Sequence, residues 1–318
     1  MIGAMVDRRI LSILHLIAFI CVFTCRANVL PAELDQMATR KSSDQELASG
    51  ISYHFRHYDN PFRDGPVAVY FLVIDWKKTP KGFSLGLVGS GAKRRKPSVM
   101  GAERYALAAV NGGYHLQEDP PTPYMTIKID GVVTEGSQPG GDTSLAFHPG
   151  RMPVIESYSP ALLAKYENLI SGDGVTGFHG QPQADTKEER QKARAPHTFI
   201  GQNSTNKITV IAVADGRTRE SIGVDFVEEC ALVMPFGCQK VVSLDGGGSS
   251  VMALRKNGDR KHMTVMNQPD TRLVLGIPIS LGERAVSDAV LLLDKDSEHV
   301  LPPLDRPRPL TLSLCGLP

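Results

Sequence analysis

The stretch VVSLDGGGSSVMAL, from Val241 to Leu254, sets one carboxylate and five small residues between two apolar segments. The first segment, Val241–Leu244, is rich in β-branched residues and predicts a buried strand that ends just before Asp245. The second segment, Val251–Leu254, predicts another strand, which we expect to pair with Thr264–Met266. This pattern predicts that Asp245 emerges at the edge of a sheet in a fixed direction.

The turn between these strands has the composition of an anion-binding site. Gly246, Gly247 and Gly248 can adopt positive φ angles and let a ligand approach the main chain closely. Their N–H groups could form a concave anion site, to which Ser249 and Ser250 add hydroxyl donors. The alternative is a plain turn or linker. No lysine follows the glycines, which excludes a Walker-type loop, and the Gly-x-Ser-x-Gly nucleophile pattern is absent.

Length and charge restrict the class of protein. The chain has 318 residues, of which 42% are hydrophobic, enough for a substantial globular core. Its 35 basic residues nearly balance its 34 acidic ones, whereas nucleic-acid-binding proteins usually carry a basic excess or stripe. We therefore predict no nucleic-acid partner, and nothing in the sequence calls for a partner protein.

The N-terminal residues resemble a secretory signal. Arg8 and Arg9 precede an apolar run from Ile10 to Phe23, and the small residue Ala27 follows. The run is shorter than the roughly 20 residues of a membrane-spanning helix. We predict a signal peptide over residues 1–27 and an exported protein, periplasmic or secreted, without a membrane span after cleavage. An uncleaved membrane anchor is the alternative.

The rest of the chain is interpreted as three parts. Residues 28–66 form a polar lead-in, which we expect to be mobile up to residue 50; residues 67–294 form one domain, and residues 295–318 form a proline-rich tail. Predicted strands outnumber helices and do not alternate with them regularly. This order favours an α+β fold, a single domain with a mixed or antiparallel twisted sheet and a few packed helices.

The individual elements follow from the periodicity of the apolar residues. The clearest helix is Gly223–Phe236, because its apolar residues recur at helical spacing and Gly237 follows. Asp130-Gly131 predicts the turn of a hairpin over residues 125–133. Further strands are predicted at Val67–Asp75, Ala106–Val110, Ile208–Val213 and Val286–Leu293.

The cysteines do not form the framework of a disulfide-rich fold. Cys230, Cys238 and Cys315 follow the predicted signal, and their number is odd. Cys230 lies on the apolar stripe of the predicted helix, which favours a small buried hydrophobic residue. One disulfide bond among the three is the alternative in an oxidising compartment.

Five short motifs, taken in chain order, resemble the signature of the phosphodiester glycosidase family. Each alone is weak evidence, whereas five in order are specific, and the resemblance covers Val67 to Asp294. It implies a hydrolase that cleaves the glycosidic bond of sugar-1-phosphodiesters, of the N-acetylglucosamine-1-phospho type, in envelope polysaccharide or a glycoconjugate. The motifs are Ala109–Tyr114, His197–Gly201, Asp215–Arg217, Leu244–Ser250 and Glu283–Val286.

The resemblance also implies roles for single residues. Asp245 would act as a base or as the electrostatic stabiliser of an oxocarbenium-like centre. His197 and Arg217, with the main-chain N–H groups of the turn, would hold the phosphate. Asn111 and Thr198 would position the substrate by hydrogen bonding. The remaining candidates are Tyr114, stacked on the sugar; Gly112, Gly113, Gly246, Gly247, Gly248, Ser249, Ser250 and Arg284, binding substrate; and Asp215 and Glu283, as reserve carboxylates.

Several of these assignments have structural alternatives. Asp245 could only cap its own turn, Asp215 with Gly216 could form a plain β-turn, and the glycines after Asn111 could do the same. Arg284 could pair with an internal carboxylate. No metal-ligand spacing is present, so no metal site or cofactor is predicted, although a divalent cation at Asp245 is an alternative.

Two positions depart from the family pattern. His197 stands where the family usually has arginine, and His115 where a second aromatic residue is common. The charge of histidine depends on pH, whereas arginine is always charged. The change at His197 favours one alternative function, a non-catalytic protein of polysaccharide binding or assembly. A metal-dependent phosphodiesterase that cleaves the P–O bond is a further alternative.

Overall fold

A computed structural model describes residues 36–294, apart from 40, 135, 179–192, 257–258 and 275–276. The predicted signal peptide and the C-terminal tail lie outside these residues. Within them, no helix combines the length and the apolar character needed to cross a membrane.

The larger of two antiparallel sheets has eleven strands. Along the sheet the order is β1-β2-β3-β12-β11-β13-β10-β6-β7, with β8 also pairing with β10 and β9 with β8. The strands are β1 Ser43–Ala48, β2 Ile51–Tyr58, β3 Val67–Asp75, β6 Ile127–Ile129, β7 Val132–Val133, β8 Thr143–Phe147, β9 Val154–Ser157, β10 Asn168–Thr176, β11 His197–Asn203, β12 Ile208–Ala214 and β13 Lys240–Ser243.

The smaller sheet has five strands in the order β15-β14-β5-β18-β4, and β16 and β17 form a separate hairpin. These strands are β4 Phe83–Gly89, β5 Ala106–Asn111, β14 Met252–Lys256, β15 Asp259–Val265, β16 Thr271–Val274, β17 Ile277–Ser280 and β18 Asp288–Asp294. The described helices are α1 Pro97–Glu103, α2 Pro160–Lys165 and α3 Phe226–Val233, with 3-10 turns at Met234–Phe236 and Gly247–Ser249.

The two sheets pack face to face, and a helix covers the outer face of each. Because side chains alternate along a strand, Ile200 lies in the core between the sheets and Phe199 in the core under α3. In the smaller sheet, Val290 points to the shared core and Leu291 to the cluster that contains Met100 of α1. The strands are therefore apolar on both faces, which explains why the sequence reads as continuous apolar runs.

Helix α3 begins at a capping box. The Asp225 side chain accepts a hydrogen bond from the Glu228 N–H, and the Glu228 side chain accepts one from the Asp225 N–H. The helix continues into the 3-10 turn and ends at Gly237, whose φ of 70° is left-handed. The predicted helix is confirmed, but it starts at Phe226 because the cap satisfies the first N–H groups there.

Most predicted strands are confirmed. Strand β3 has the predicted bounds, and Leu254 of β14 pairs with Thr264 of β15. The hairpin of β6 and β7 turns at Asp130 and Gly131, with φ angles of 47° and 85°.

The structure differs from the sequence-based expectation in two respects. Strands β1 and β2 lie within the segment that we interpreted as a polar lead-in, and Ile51, Tyr53 and Phe55 are buried in the shared core. The predicted sheet is in fact two sheets. Pairing between strands that are distant in sequence, such as β3 with β12, leaves no mark on local periodicity.

Cys230 and Cys238 are free, buried thiols. Burial raises the pKa of both, so neither is an activated nucleophile. Cys315 lies outside the described residues, and the expectation of a small buried hydrophobic residue at Cys230 agrees with its position in the core under α3.

We predict that Asp225→Ala lowers the free energy of unfolding by about 1 kcal/mol, because the Glu228 N–H loses its acceptor. Urea denaturation measures the change. Asp225→Asn keeps a capping oxygen and should stay close to the parent protein. An equal loss in both variants would show that the charge, and not the cap, stabilises the helix.

Candidate active site

Four neighbouring strands of the larger sheet bring the candidate residues together. Strands β12, β11, β13 and β10 lie side by side. Arg217 follows β12, His197 begins β11, Asp245 follows β13 and Asp173 lies within β10. The site is thus built on adjacent rigid strands, although its residues are up to 72 positions apart in sequence.

Register determines which way these side chains project. Ser243 lies opposite both Phe199 and Asp173. Residues directly opposite each other in an antiparallel pair project from the same face. Phe199 packs beneath α3, so Ser243 and Asp173 project towards α3 as well, as does His197, two residues before Phe199.

A pocket of about 180 Å³ opens at this place. It is smaller than the roughly 300–1,000 Å³ of a pocket for a drug-sized ligand. Its walls combine two carboxylates, a histidine and two aromatic rings. The lining residues are Tyr114, Asp173, Ala195, His197, Phe226, Ser243, Asp245, Gly246 and Gly247.

The glycine turn is held from below by the side chain of Asn111, at the end of β5 in the smaller sheet. Asn111 Nδ2 donates to the Asp245 carbonyl oxygen at 2.6 Å. Its Oδ1 accepts from Thr198 Oγ1 at 2.6 Å and from the Val251 N–H at 3.1 Å. Asn111 and Thr198 are fully buried. Both side chains thus position the turn and do not line the pocket, and their contact with substrate stays a prediction.

Gly112 and Gly113 pack closely against the residues that support the site. A Cβ atom on Gly112 would collide with the carboxylate of Asp288, and the Gly113 N–H donates to the same carboxylate at 2.9 Å. Burial raises the pKa of Asp288 to about 6, against the effects of Ser287 and Gly113. Gly112 is therefore needed because the Asp288 carboxylate occupies its side-chain space, whereas a Cβ atom on Gly113 would lie against Ile127 and Ile170. Contact of these glycines with substrate stays a prediction.

The main chain of the glycine turn is largely occupied. The Gly246 N–H donates to Asp245 Oδ1 at 2.9 Å, and the Gly247 N–H donates to the Pro196 carbonyl at 2.7 Å. The φ of Gly247 is 62°, which favours glycine. Two of the three N–H groups expected to bind an anion thus have protein acceptors in this structure, and anion binding by this main chain stays a prediction.

The two serines lie beneath the turn. Ser249 and Ser250 are 1% and 0% exposed, and neither lines the pocket. The Ser249 hydroxyl instead lies close to the Asp245 carboxylate, whose pKa it lowers. Their contact with substrate stays a prediction.

Asp245 is the carboxylate at the centre of the pocket. Its side chain is 19% exposed, and its Oδ2 lies 3.6 Å from His115 Nδ1. Burial raises the pKa of Asp245 to about 6, and the neighbouring Asp288 adds to this, whereas Ser249, Gly246 and Arg284 oppose it. A carboxyl group with this pKa can accept or donate a proton near neutral pH.

His197 forms a hydrogen-bonded ion pair with Glu229 of α3. Its Nδ1 contacts Glu229 Oε1, which also accepts from Ser243 Oγ at 3.0 Å. Burial lowers the pKa of His197, but the Glu229 carboxylate, with Asp225 and Asp173, outweighs it and raises the pKa above the ordinary value. Because Nδ1 is taken, Nε2 is the ring nitrogen left to meet a ligand.

Two arginines flank the turn. Arg217 is exposed and has no ion-pair partner within the described part of the chain. A Cβ atom on Gly247 would lie 3.2 Å from its guanidinium, so this cation borders the pocket. The φ of Arg217 is 61°, a left-handed value that costs energy for a residue with a side chain.

Arg284 pairs with an internal carboxylate, which was the structural alternative to a contact with substrate. It pairs with Asp270 at 2.7 Å, and a Cβ atom on Gly248 would collide with both partners. Gly248 therefore makes room for this ion pair. Contact of Gly248 and Arg284 with substrate stays a prediction.

The two reserve carboxylates lie elsewhere. Asp215 accepts hydrogen bonds from Tyr70, Asn267 and the Gln268 N–H and anchors a loop. Glu283 accepts from the Ser98 N–H at 2.6 Å and so caps α1. Burial raises the pKa of both, yet neither lines the pocket. Both have structural roles here, and their use as reserve carboxylates stays a prediction.

Sequence reasoning missed Asp173 and Glu229. Asp173 lies in β10, whose sequence mixes apolar, polar and glycine residues, and Glu229 lies within the predicted helix α3. Neither residue belongs to any of the five motifs, so local sequence gave no signal for them. Among the described residues, no cluster of three or more His, Cys, Asp or Glu residues is suited to a metal ion.

Comparison with known proteins gives the site its context. The family model described as phosphodiester glycosidase matches residues 104–293. The structure is similar to the catalytic domain of zebrafish N-acetylglucosamine-1-phosphodiester alpha-N-acetylglucosaminidase, auto-inhibited by its pro-peptide, with 15% identity and a TM-score of 0.56 over 84% of this chain and 94% of that one. No curated protein sequence matches the chain significantly.

A second solved structure shares the fold. It is a candidate exported protein of Burkholderia pseudomallei, 17% identical with a TM-score of 0.50, and the match covers 74% of this chain and 75% of that one. At these identities both structures support the fold, and the family model identifies the family.

We predict that Glu229→Gln lowers the pKa of His197, because burial is then no longer offset by a carboxylate. An NMR titration of the His197 ring protons measures it. In the parent, the pair stabilises the fold below the ordinary histidine pKa of about 6.5, and this contribution is lost as the pH rises through the raised value.

The matched control for this prediction is Glu228→Gln. Glu228 is the next residue of α3, and its carboxylate contacts Arg194 rather than His197. A His197 pKa that moves equally in both variants, or in neither, would contradict the assigned pair.

Proposed function

Because the chain belongs to the phosphodiester glycosidase family and is thus a glycosidase acting on sugar phosphodiesters, we propose that its substrate is a sugar-1-phosphodiester of the N-acetylglucosamine-1-phospho type. We propose further that the protein is exported and acts on envelope polysaccharide or a glycoconjugate. The N-terminal signal pattern supports export. The two cationic side chains beside the glycine turn, Arg217 and His197, support a phosphate-containing substrate.

One observation carries the proposal: a carboxylate with a raised pKa lies in a small pocket beside two cations. Asp245 lies on the turn, Arg217 borders Gly247, and the ring of His197 lies 3.8 Å from a Cβ atom built on Gly246. A phosphate group beside the turn would meet both positive charges. The Asp245 carboxylate would then lie near the anomeric carbon to which the phosphate is attached.

The reaction needs little acid catalysis. Water attacks the anomeric carbon, the bond from that carbon to the phosphate oxygen breaks, and the electron pair leaves with the oxygen. The product is a phosphate monoester, whose second pKa is about 6, so it is a good leaving group. The proton of the attacking water passes to a carboxylate and then to solvent.

Asp245 is suited to that step. With a pKa of about 6 it is ionised above this pH and can accept the proton, or stabilise the positive charge of the oxocarbenium-like centre. His197 in its protonated form and Arg217 stabilise the charge of the leaving phosphate. Tyr114 offers an aromatic face for the sugar ring.

A non-catalytic binding protein is the second candidate. It is favoured by His197, which replaces the arginine usual at this position and carries its charge conditionally. The pocket would then bind sugar phosphate without turnover.

The proposal is tested with purified protein and a panel of sugar-1-phosphate diesters in oxygen-18-labelled water, with and without chelator. We expect free sugar to be released, with the label in the sugar. Label in the phosphate would instead indicate P–O cleavage, and release that needs added metal would indicate a divalent cation. Binding without any release would support the second candidate.

We predict that Asp245→Asn lowers kcat about a hundredfold or more while the protein remains folded, because the amide cannot accept the proton. Steady-state kinetics with the best diester measures it. Glu283→Gln is the matched control, since it neutralises a partly buried carboxylate outside the pocket and should keep kcat. Undiminished turnover in Asp245→Asn would exclude the proposed role.

We predict that Arg217→Ala raises KM about tenfold, because the phosphate loses a charged hydrogen-bond partner. Arg219→Ala removes an exposed arginine of the same loop and should leave KM unchanged. Equal effects of the two substitutions would show that only the overall charge of the loop matters.

A further inference from the structure

We propose that Asp173 binds the sugar, so that the substrate lies across the strands with its phosphate towards Arg217 and its sugar towards Asp173. This orientation deepens the proposed function and rests on it for the identity of the ligand. No motif of the sequence pointed to Asp173, and the reaction described above does not use it.

The order of the strands carries the first step of the argument. From β12 to β10 the sheet runs through β11 and β13, three strand spacings or about 14 Å. Arg217 follows the first of these strands and Asp173 lies in the last. Asp245 and His197 stand between them. The pocket therefore has two chemically different ends.

The charges of the two ends decide which part of the substrate each can hold. A phosphodiester is an anion, so it is attracted by Arg217 and by protonated His197 and repelled by the carboxylate of Asp173. A sugar carries hydroxyl and amide N–H donors, which a carboxylate accepts well. The arrangement that gives the phosphate its cations and the sugar its acceptor places the phosphate near Arg217 and the sugar near Asp173.

Asp173 is held in place for such a contact. Its side chain lines the pocket although the residue is only 4% exposed, and its Oδ2 accepts from Tyr114 Oη at 3.2 Å. The ring of Tyr114 lines the same pocket. A carboxylate beside an aromatic face matches a sugar, which has polar edges and an apolar face.

The neighbours of Asp173 support the same orientation. The carboxylate contributes to the raised pKa of His197, so the two groups lie within electrostatic reach across the pocket. Ser243 lies opposite Asp173 in the adjacent strand and also lines the wall. With a pocket of about 180 Å³, we expect room for one sugar unit rather than for an oligosaccharide.

Binding measurements separate the two ends without relying on turnover. Isothermal titration calorimetry compares N-acetylglucosamine 1-phosphate with inorganic phosphate on the parent protein, Asp173→Asn and Arg217→Ala. We expect Asp173→Asn to weaken the sugar phosphate about tenfold but not to weaken inorganic phosphate, because the variant removes a charge that repels this anion. Arg217→Ala should weaken both ligands.

A milder variant guards against a folding defect in Asp173→Asn. Tyr114→Phe removes only the O–H that orients Asp173 and keeps the aromatic face, so it should weaken the sugar phosphate about threefold and leave inorganic phosphate unchanged. Thermal unfolding of each variant confirms that it is folded.

The possible results are distinct. Equal losses for both ligands in Asp173→Asn, or a parent protein that binds the sugar phosphate no more tightly than phosphate, would overturn the orientation. If the expected binding pattern is found but no diester is hydrolysed, the orientation stands and the proposed hydrolysis fails.

Discussion

The amide of Asn111 joins the two sheets at the point where the site is built. It lies at the end of β5 in the smaller sheet. It binds the Thr198 hydroxyl of the larger sheet, the Asp245 carbonyl just after β13 of that sheet, and the Val251 N–H just before β14 of the smaller sheet. Because this polar side chain is fully buried, each bond lost would leave an unsatisfied group. The direction in which Asp245 leaves its strand depends on this junction.

Burial at this junction also sets the proton chemistry of the site. Asp245 and Asp288 lie close together at the sheet edge, and the pKa of each is raised to about 6 chiefly by burial. A carboxyl group of this kind costs stability, and the surrounding donors offset that cost only in part. The pair of His197 and Glu229 shows the opposite case, because there a buried carboxylate keeps a histidine charged.

The candidate site was partly predictable. The position of Asp245 between two strands, and the proximity of Asn111, His197, Arg217 and Tyr114, followed from motifs that stand at strand ends. The motifs did not predict which of these residues contact the substrate and which support the turn. Whether an asparagine or a glycine meets the substrate or supports the turn depends on which groups surround it, and those groups come from other strands.

The sequence by itself determined about half of the strands, among them β3, β5, β12 and β18, together with helix α3 and the glycine turn after Asp245, because periodicity and turn chemistry act over a few residues. Only the tertiary structure decided that there are two sheets, that β1 and β2 belong to them, and that Asp173 and Glu229 join the site. The physical reason is that strand pairing and register act between residues far apart in the chain. One residue of register decides which face of the sheet a carboxylate occupies.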